Sequence, residues 1–347
     1  MPADPVTAPK GTSVTTDGRR PARPLSRTAL AAATTAAVLT LLSACGSGGG
    51  TAAPAGNGAP GSTSAAAGSA GGTAIPAQDV VSAIRPDPAL TAELPANIRS
   101  RGSLILGTSR VVGTSGLPHG GQDTGGKVVG LDIDLRNAVA KVLGVGLDIQ
   151  YGTFPTVIPG VQNGKYDVGM DNFGATKARE QVVDFATYLD DGQSFLGAKD
   201  IAPDAVRSLT DLCGLNVATS PGSTFQQILT DGASKCAAAG KSPYKVQYFT
   251  DNAPIFLGLA NGKVDVFFGP TLSLKYDALH LAYTKYLGQI STTPVGFVTA
   301  KDSPVAKALR DAVNKLIASG DYARIFAKWG VAGTAVSTSV LNPPTTF

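Results

Sequence analysis

The chain has 347 residues, enough for two domains with their own cores, yet only 16% are charged and 42 are glycine, so part of it must be low-complexity. A net charge of +4, with no basic run interleaved with aromatics, leaves no electrostatic case for nucleic acid. Three Cys and two His, without an HExxH or paired CxxC motif, leave little for a metal site, and no cofactor is expected.

Residues 1–27 are polar and carry Arg19, Arg20, Arg23 and Arg27. An apolar run over 29–42 follows, broken by Thr34, Thr35 and Thr40, and it is too short to span a bilayer comfortably. A basic segment, a short apolar run and small residues describe an export signal. Arg19-Arg20 matches a twin-arginine signal only weakly, because Pro21 follows and the apolar run starts late. The run closes on Leu42-Ser43-Ala44-Cys45, which resembles the lipobox of bacterial lipoproteins. That resemblance implies a signal peptide over 1–44 and a lipidated Cys45 as the mature N-terminus. An ordinary cleaved signal with an incidental Cys is the alternative. From 46 to 78 the chain is Gly, Ala, Ser, Thr and Pro, which cannot bury enough apolar surface to offset its entropy. A disordered tether is expected over 45–95, with 79–97 as a transitional helix or loop.

The folded body is expected from about Ile98. Residues 104–107 read as a first strand, and 108–126 as a Gly-rich loop carrying His119. In 131–144, Leu135, Ala138, Val139 and Val142 fall at helical spacing; Asp132 and Asp134 suit the start of the dipole, and Gly144 can end the helix. As carboxylate pairs, Asp132/Asp134 and Asp190/Asp191 read as solvated rather than as acid–base couples. His119 and His280 are too far from any Ser or Cys constellation to argue for a triad. A strand over 147–151 and a short helix from Phe154 to Asn163 complete a strand–helix–strand unit, which implies a parallel sheet.

The central stretch is 163–188. Asn163-Gly164-Lys165 is a turn signal, 167–170 a buried strand, and 171–176 a loop at the strand's carboxyl end, where open α/β sheets hold ligands. Arg179 follows, placed to grip a carboxylate with about 1.5–3 kcal/mol, or else to be a solvated charge beside Lys177 and Glu180. Asn163-Gly164-Lys165-Tyr166-Asp167-Val168 is echoed by Asn261-Gly262-Lys263-Val264-Asp265-Val266, each copy after an apolar segment and before a Gly-containing loop. The echo favours two similar α/β lobes.

Residues 130–135, 154–167, 176–188, 311–316 and 320–330 together resemble the extracellular solute-binding proteins of the polar amino acid class, receptors that deliver substrate to ABC importers. The resemblance covers about 98–331. It implies a two-lobed, periplasmic-binding-protein-like α/β fold of type II with two crossover hinge segments. Lobe 1 is then 96–193 and 295–332, lobe 2 is 194–294, and 333–347 is a loose tail. In the family, an arginine of the first lobe and a Ser/Thr loop at a helix start share the ligand's α-carboxylate; here these are Arg179, Ser223 and Thr224. Helix capping is the plainer role for the last two. Asn172, Gly174 and Thr176 of the first loop, with Phe154, complete the expected wall.

Two departures stand out. Gly269-Pro270 replaces a loop that often carries an aspartate for the α-ammonium, so Pro270 would contribute only shape. The cation partner is then expected to be Asp171, ahead of Asp190 or Asp191. The aromatic wall usual after the first strand is replaced by residues 116–120. Cys213 and Cys236 lie at either end of a strand–helix segment and should pair in an exported protein, contributing about 3 kcal/mol. Ser303-Pro304 opens a helix through Leu316, and 322–329 is a final helix whose aromatics read as packing.

The expectation is a monomeric, lipid-anchored receptor on the outer face of the cytoplasmic membrane. It would bind an amino acid or related carboxylate and hand it to an ABC permease. An enzyme resembling the cyclohexadienyl dehydratase type and a sensory or scaffold lipoprotein are the alternatives.

Overall fold

The computed structural model describes residues 74–345 and 347. The export signal, Cys45 and most of the expected tether lie outside these residues.

Helices α1 (Pro88–Glu93) and α2 (Ala96–Arg101) lead into strand β1 (Ser103–Ser109). Asp87 caps α1 by accepting from the Ala89 N–H, with Pro88 in the first turn. Val80, Ile84 and Leu94 are buried in the main core. The folded body therefore starts by Val80 rather than at position 96, because 80–94 carries apolar side chains that reach that core. A small ribbon of β2 (Gly121–Gln122) and β3 (Val128–Val129) precedes α3 (Leu131–Val142), β4 (Gly146–Gly152), α4 (Phe154–Gln162), β5 (Val168–Gly174) and α5 (Lys177–Glu180). The long β6 (Val183–Ala198) then leaves this half. The other half holds β7 (Asn216–Thr219), α6 (Thr224–Asp231), α7 (Lys235–Ala238), β8 (Lys245–Tyr248), α8 (Asn252–Ala260), β9 (Val266–Pro270) and α9 (Thr271–His280). Strand β10 (Thr284–Ala300) returns, followed by α10 (Pro304–Ser319) and α11 (Asp321–Lys328).

One sheet runs through both halves in the order β4-β1-β5-β10-β6-β9-β7-β8. Each half has three parallel strands with the first in sequence at the centre, then one antiparallel crossover strand: β10 beside β5, and β6 beside β9. This is a two-lobed α/β fold of type II. β6 and β10 pair with each other along their lengths, with register shifts at 286/288, 289/291 and 295/296. Such bulges let a paired ribbon bend without breaking.

The repeated hexapeptide does the same work twice. Asn163 Oδ1 accepts from Lys165 N at 3.2 Å, and Asn261 Oδ1 from Lys263 N at 3.1 Å. Gly164 and Gly262 take left-handed φ of 76° and 72°, which only glycine adopts freely. Asp167 Oδ2 accepts from Ile105 N, and Asp265 Oδ2 from Asn216 N, both at 2.7 Å. Each carboxylate thus ties the repeat to the first strand of its own lobe.

Cys213 and Cys236 are disulfide-bonded, with Cα atoms 5.6 Å apart. Tyr322, Phe326 and Trp329 pack in the lobe 1 core. Helix α9 has no counterpart in the sequence reading, because its buried face mixes Thr271, Ser273 and Asp277 with Leu272 and Leu274 and shows no apolar stripe. The C-terminal segment is not loose. Thr187 donates to Val340 O at 3.0 Å, Phe185 to Asn342 Oδ1 at 2.9 Å, and Ser339 Oγ to Thr187 O at 2.6 Å. Its Ser and Asn side chains, which suggested a free tail, instead satisfy the open edge of β6.

Candidate ligand-binding site

A cleft of about 600 Å³ lies between the lobes at the carboxyl ends of the parallel strands. That placement follows from the topology, since strand ends and helix starts converge there with unpaired backbone groups.

Arg179 stands on the cleft wall. Thr176 caps α5, its Oγ1 accepting from Arg179 N at 3.2 Å, and so aims the arginine across the end of β5. The guanidinium donates through Nη1 to Gly174 O and through Nη2 to Gly222 O, both at 2.8 Å. Gly174 belongs to lobe 1 and Gly222 to lobe 2, so this side chain joins the lobes. It lies 5.8 Å from the Phe154 ring centre and 5.6 Å from that of Phe173, which pack on each other at 4.8 Å. Burial pulls its pKa down to about 10, which leaves it charged at neutral pH. Opposite, Ser223 caps α6, its Oγ accepting from Gln226 N at 3.1 Å and donating to Ser220 O at 2.6 Å. Thr224 opens that helix, whose first N–H groups have no partner within the helix. A second contact, Ser273 Oγ to Gly116 O at 3.0 Å, closes the lobes elsewhere along the cleft.

Asp171 stands on β5, three residues before Gly174, and receives Ser109 Oγ at 2.8 Å and Ser109 N at 3.1 Å. Burial raises its pKa to about 6 against those hydrogen bonds. Asn172 sits at φ 51° and donates to Asp191 Oδ2 at 3.1 Å. Arg179, Asp171, Asn172, Gly174, Phe154, Ser223, Thr224 and Pro270 all stand on the cleft wall. Thr176 does not: it is buried, and its hydroxyl is used in capping. Pro270 ends β9 and stands before α9.

Charged residues of this wall that were not singled out as binding candidates include His119, Asp132 and Arg136. His119 is buried between Asp132 Oδ1 at 3.3 Å from Nδ1 and Asp191 Oδ2 at 3.0 Å from Nε2. Burial disfavours its charge, but Asp132 and the hydrogen bonds to both carboxylates outweigh it and raise the pKa to about 10. Asp191 also accepts from Gly192 N at 2.7 Å and from Leu272 N of lobe 2 at 3.2 Å, so it is committed to the hinge rather than to a ligand. Arg136 of α3 is the third. Asp132 and Arg136 are four residues apart on a helix whose other inward residues are apolar, and that shared face was the signal available in the sequence. Among the described residues no cluster suits a metal ion, and no helix is long and apolar enough to cross a membrane.

The family model for bacterial extracellular solute-binding proteins, family 3, matches residues 111–332. An arginine-binding protein of Corynebacterium glutamicum is 26% identical over 269 residues, 74% of this chain and 84% of that one. An ancestral arginine-binding protein solved with glutamine is 33% identical, with a TM-score of 0.58 over 67% of this chain and 99% of that chain. An ancestral amino acid-binding protein, described as a precursor of cyclohexadienyl dehydratase, is 30% identical, with a TM-score of 0.59 over 67% and 97%.

Proposed function

The chain belongs to the bacterial extracellular solute-binding proteins, family 3, and from that premise we propose that it captures an amino acid or related small carboxylate in the interlobe cleft and delivers it to an ABC permease. The observation that carries this reading is Arg179: a charged guanidinium in the cleft wall whose partners are two neutral carbonyls. A carboxylate placed against it and the start of α6 would gain charge-assisted hydrogen bonds from both lobes. Asp171 takes the ammonium, in place of the aspartate that Pro270 displaces. Closure about β6 and β10 excludes water and lets these contacts act together, enough for micromolar affinity, about −8 kcal/mol.

The related proteins named above are binding proteins, and the protein acts as a receptor rather than an enzyme; no turnover of cyclohexadienyl substrates is expected. Export and anchoring through a lipidated Cys45 complete the proposal, and Cys45→Ala should release the protein into the medium. Calorimetry with a panel of amino acids and small carboxylates tests the binding. Heat from at least one, with a more compact scattering profile, supports it; silence from folded protein rejects it.

A further inference from the structure

The cleft wall carries a second buried arginine, and it has an unmet donor. Arg136 is 9% exposed and stands on the cleft wall. Its Nε is buried without a hydrogen-bond partner, and it forms no ion pair among the described residues. The negative charges of Asp132 and Asp171 act on it, yet neither carboxylate is hydrogen-bonded or ion-paired to it among the described residues. A buried N–H without an acceptor is costly. Arg179 lies against the Gly174 and Gly222 carbonyls, whereas Arg136 stands on α3 within the field of Asp132 and Asp171, so the two arginines have different surroundings in the cleft. Arg110 adds a further cation on the same wall, stacked at 4.3 Å over Tyr151.

We propose that Arg136 is a specificity-determining residue that reads an oxygen acceptor, a carboxylate or carboxamide, at the end of the solute remote from Arg179. This rests on the receptor reading above and narrows it. A solute held by its α-carboxylate at Arg179 brings its side-chain terminus toward Arg136. An acidic or amide terminus supplies the missing acceptor. A guanidinium or ammonium terminus brings a third cation toward Arg110 and Arg136 and is rejected. The cleft thus differs in preference from relatives named for arginine.

The test is calorimetry on the wild-type protein with glutamate, glutamine, arginine, lysine and alanine, then on Arg136→Met. Glutamate or glutamine is expected to bind at least about tenfold more tightly than arginine or lysine. The variant, checked for an unchanged melting profile, is expected to lose about tenfold or more for that solute and nothing for alanine, which has no terminal acceptor. Arginine binding as tightly as glutamate or glutamine overturns this inference and leaves the receptor reading intact. Equal losses for alanine and for the preferred solute overturn it too, because they mark a structural role. Silence across the whole panel removes the receptor reading itself. The wild-type panel decides the matter even if the variant does not fold.

Discussion

In lobe 1 the strand after the Asn-Gly-Lys turn runs on through Asp171, Asn172 and Gly174 into the helix that carries Arg179; in lobe 2 the matching strand stops at Gly269-Pro270. Turn, carboxylate tie and strand order are the same in both. What differs is the residues just past the strand, and these decide the chemistry. Lobe 1 offers a cation and a carboxylate at side-chain level, while lobe 2 offers a helix start and a proline wall. The lobes are also reinforced differently, lobe 2 by the Cys213–Cys236 bridge and lobe 1 by the C-terminal segment along β6.

The sharpest way to test that contrast is to remove each reinforcement. Replacing both cysteines by serine should cost about 3 kcal/mol, with lobe 2 losing hydrogen-exchange protection before lobe 1. Equal loss in both lobes would mean that they unfold as one unit. Next comes Arg179→Ala, expected to remove about 1.5–3 kcal/mol of solute affinity, against a smaller loss for Thr224→Ala on the lobe 2 side. A reversed order would move the carboxylate grip to lobe 2. Asn342→Ala removes the side-chain partner of the Phe185 N–H and one of the donors to Asp184, and should destabilise lobe 1 by about 1–2 kcal/mol in urea melts without touching binding.

The smallest effect at neutral pH is one of slope, and the lobes should differ in sign. Asp184 in lobe 1 is buried, but hydrogen bonds from Lys301, Asn342 and Asp302 hold its pKa below the usual carboxylate value. Its stabilisation is present above the unfolded pKa of about 3.9 and is lost as pH falls through the folded value. Asp277 in lobe 2 is the reverse: burial raises it to about 9, and its Oδ2 has no partner. Its folded form holds the proton, so stability is full below about 3.9 and declines as pH rises toward the folded value. Asp184→Asn should therefore lower the neutral-pH melting temperature, and Asp277→Asn should raise it and flatten the alkaline limb. Melting curves from about pH 2 to about 9 read both slopes.

Local signals were legible in the sequence. The hexapeptide repeat marked both lobes, Ser303-Pro304 marked α10, and Arg179 stood out because it closely follows a strand end. What escaped was carried by contacts between distant positions. His119 meets Asp191 across 72 residues, and Asn342 meets Phe185 across 157. A Ser/Thr/Asn-rich tail looks the same in sequence whether it is solvated or paired to a strand edge, and only the edge decides. Arg136 was hidden for a related reason. A charged residue on a helix reads as solvent-facing until the helix's burial shows that its inward face ends in the cleft.

The route of the backbone through β6 and β10 has one more consequence. The N-terminal helices, α10, α11 and the final residues all fasten to lobe 1, and the chain enters and leaves lobe 2 through two neighbouring strands. Lobe 2 is therefore a cassette on a single two-stranded stem. A counterpart from a sister protein can be grafted there without rerouting the chain, and such chimaeras would show how selectivity is divided between host and insert.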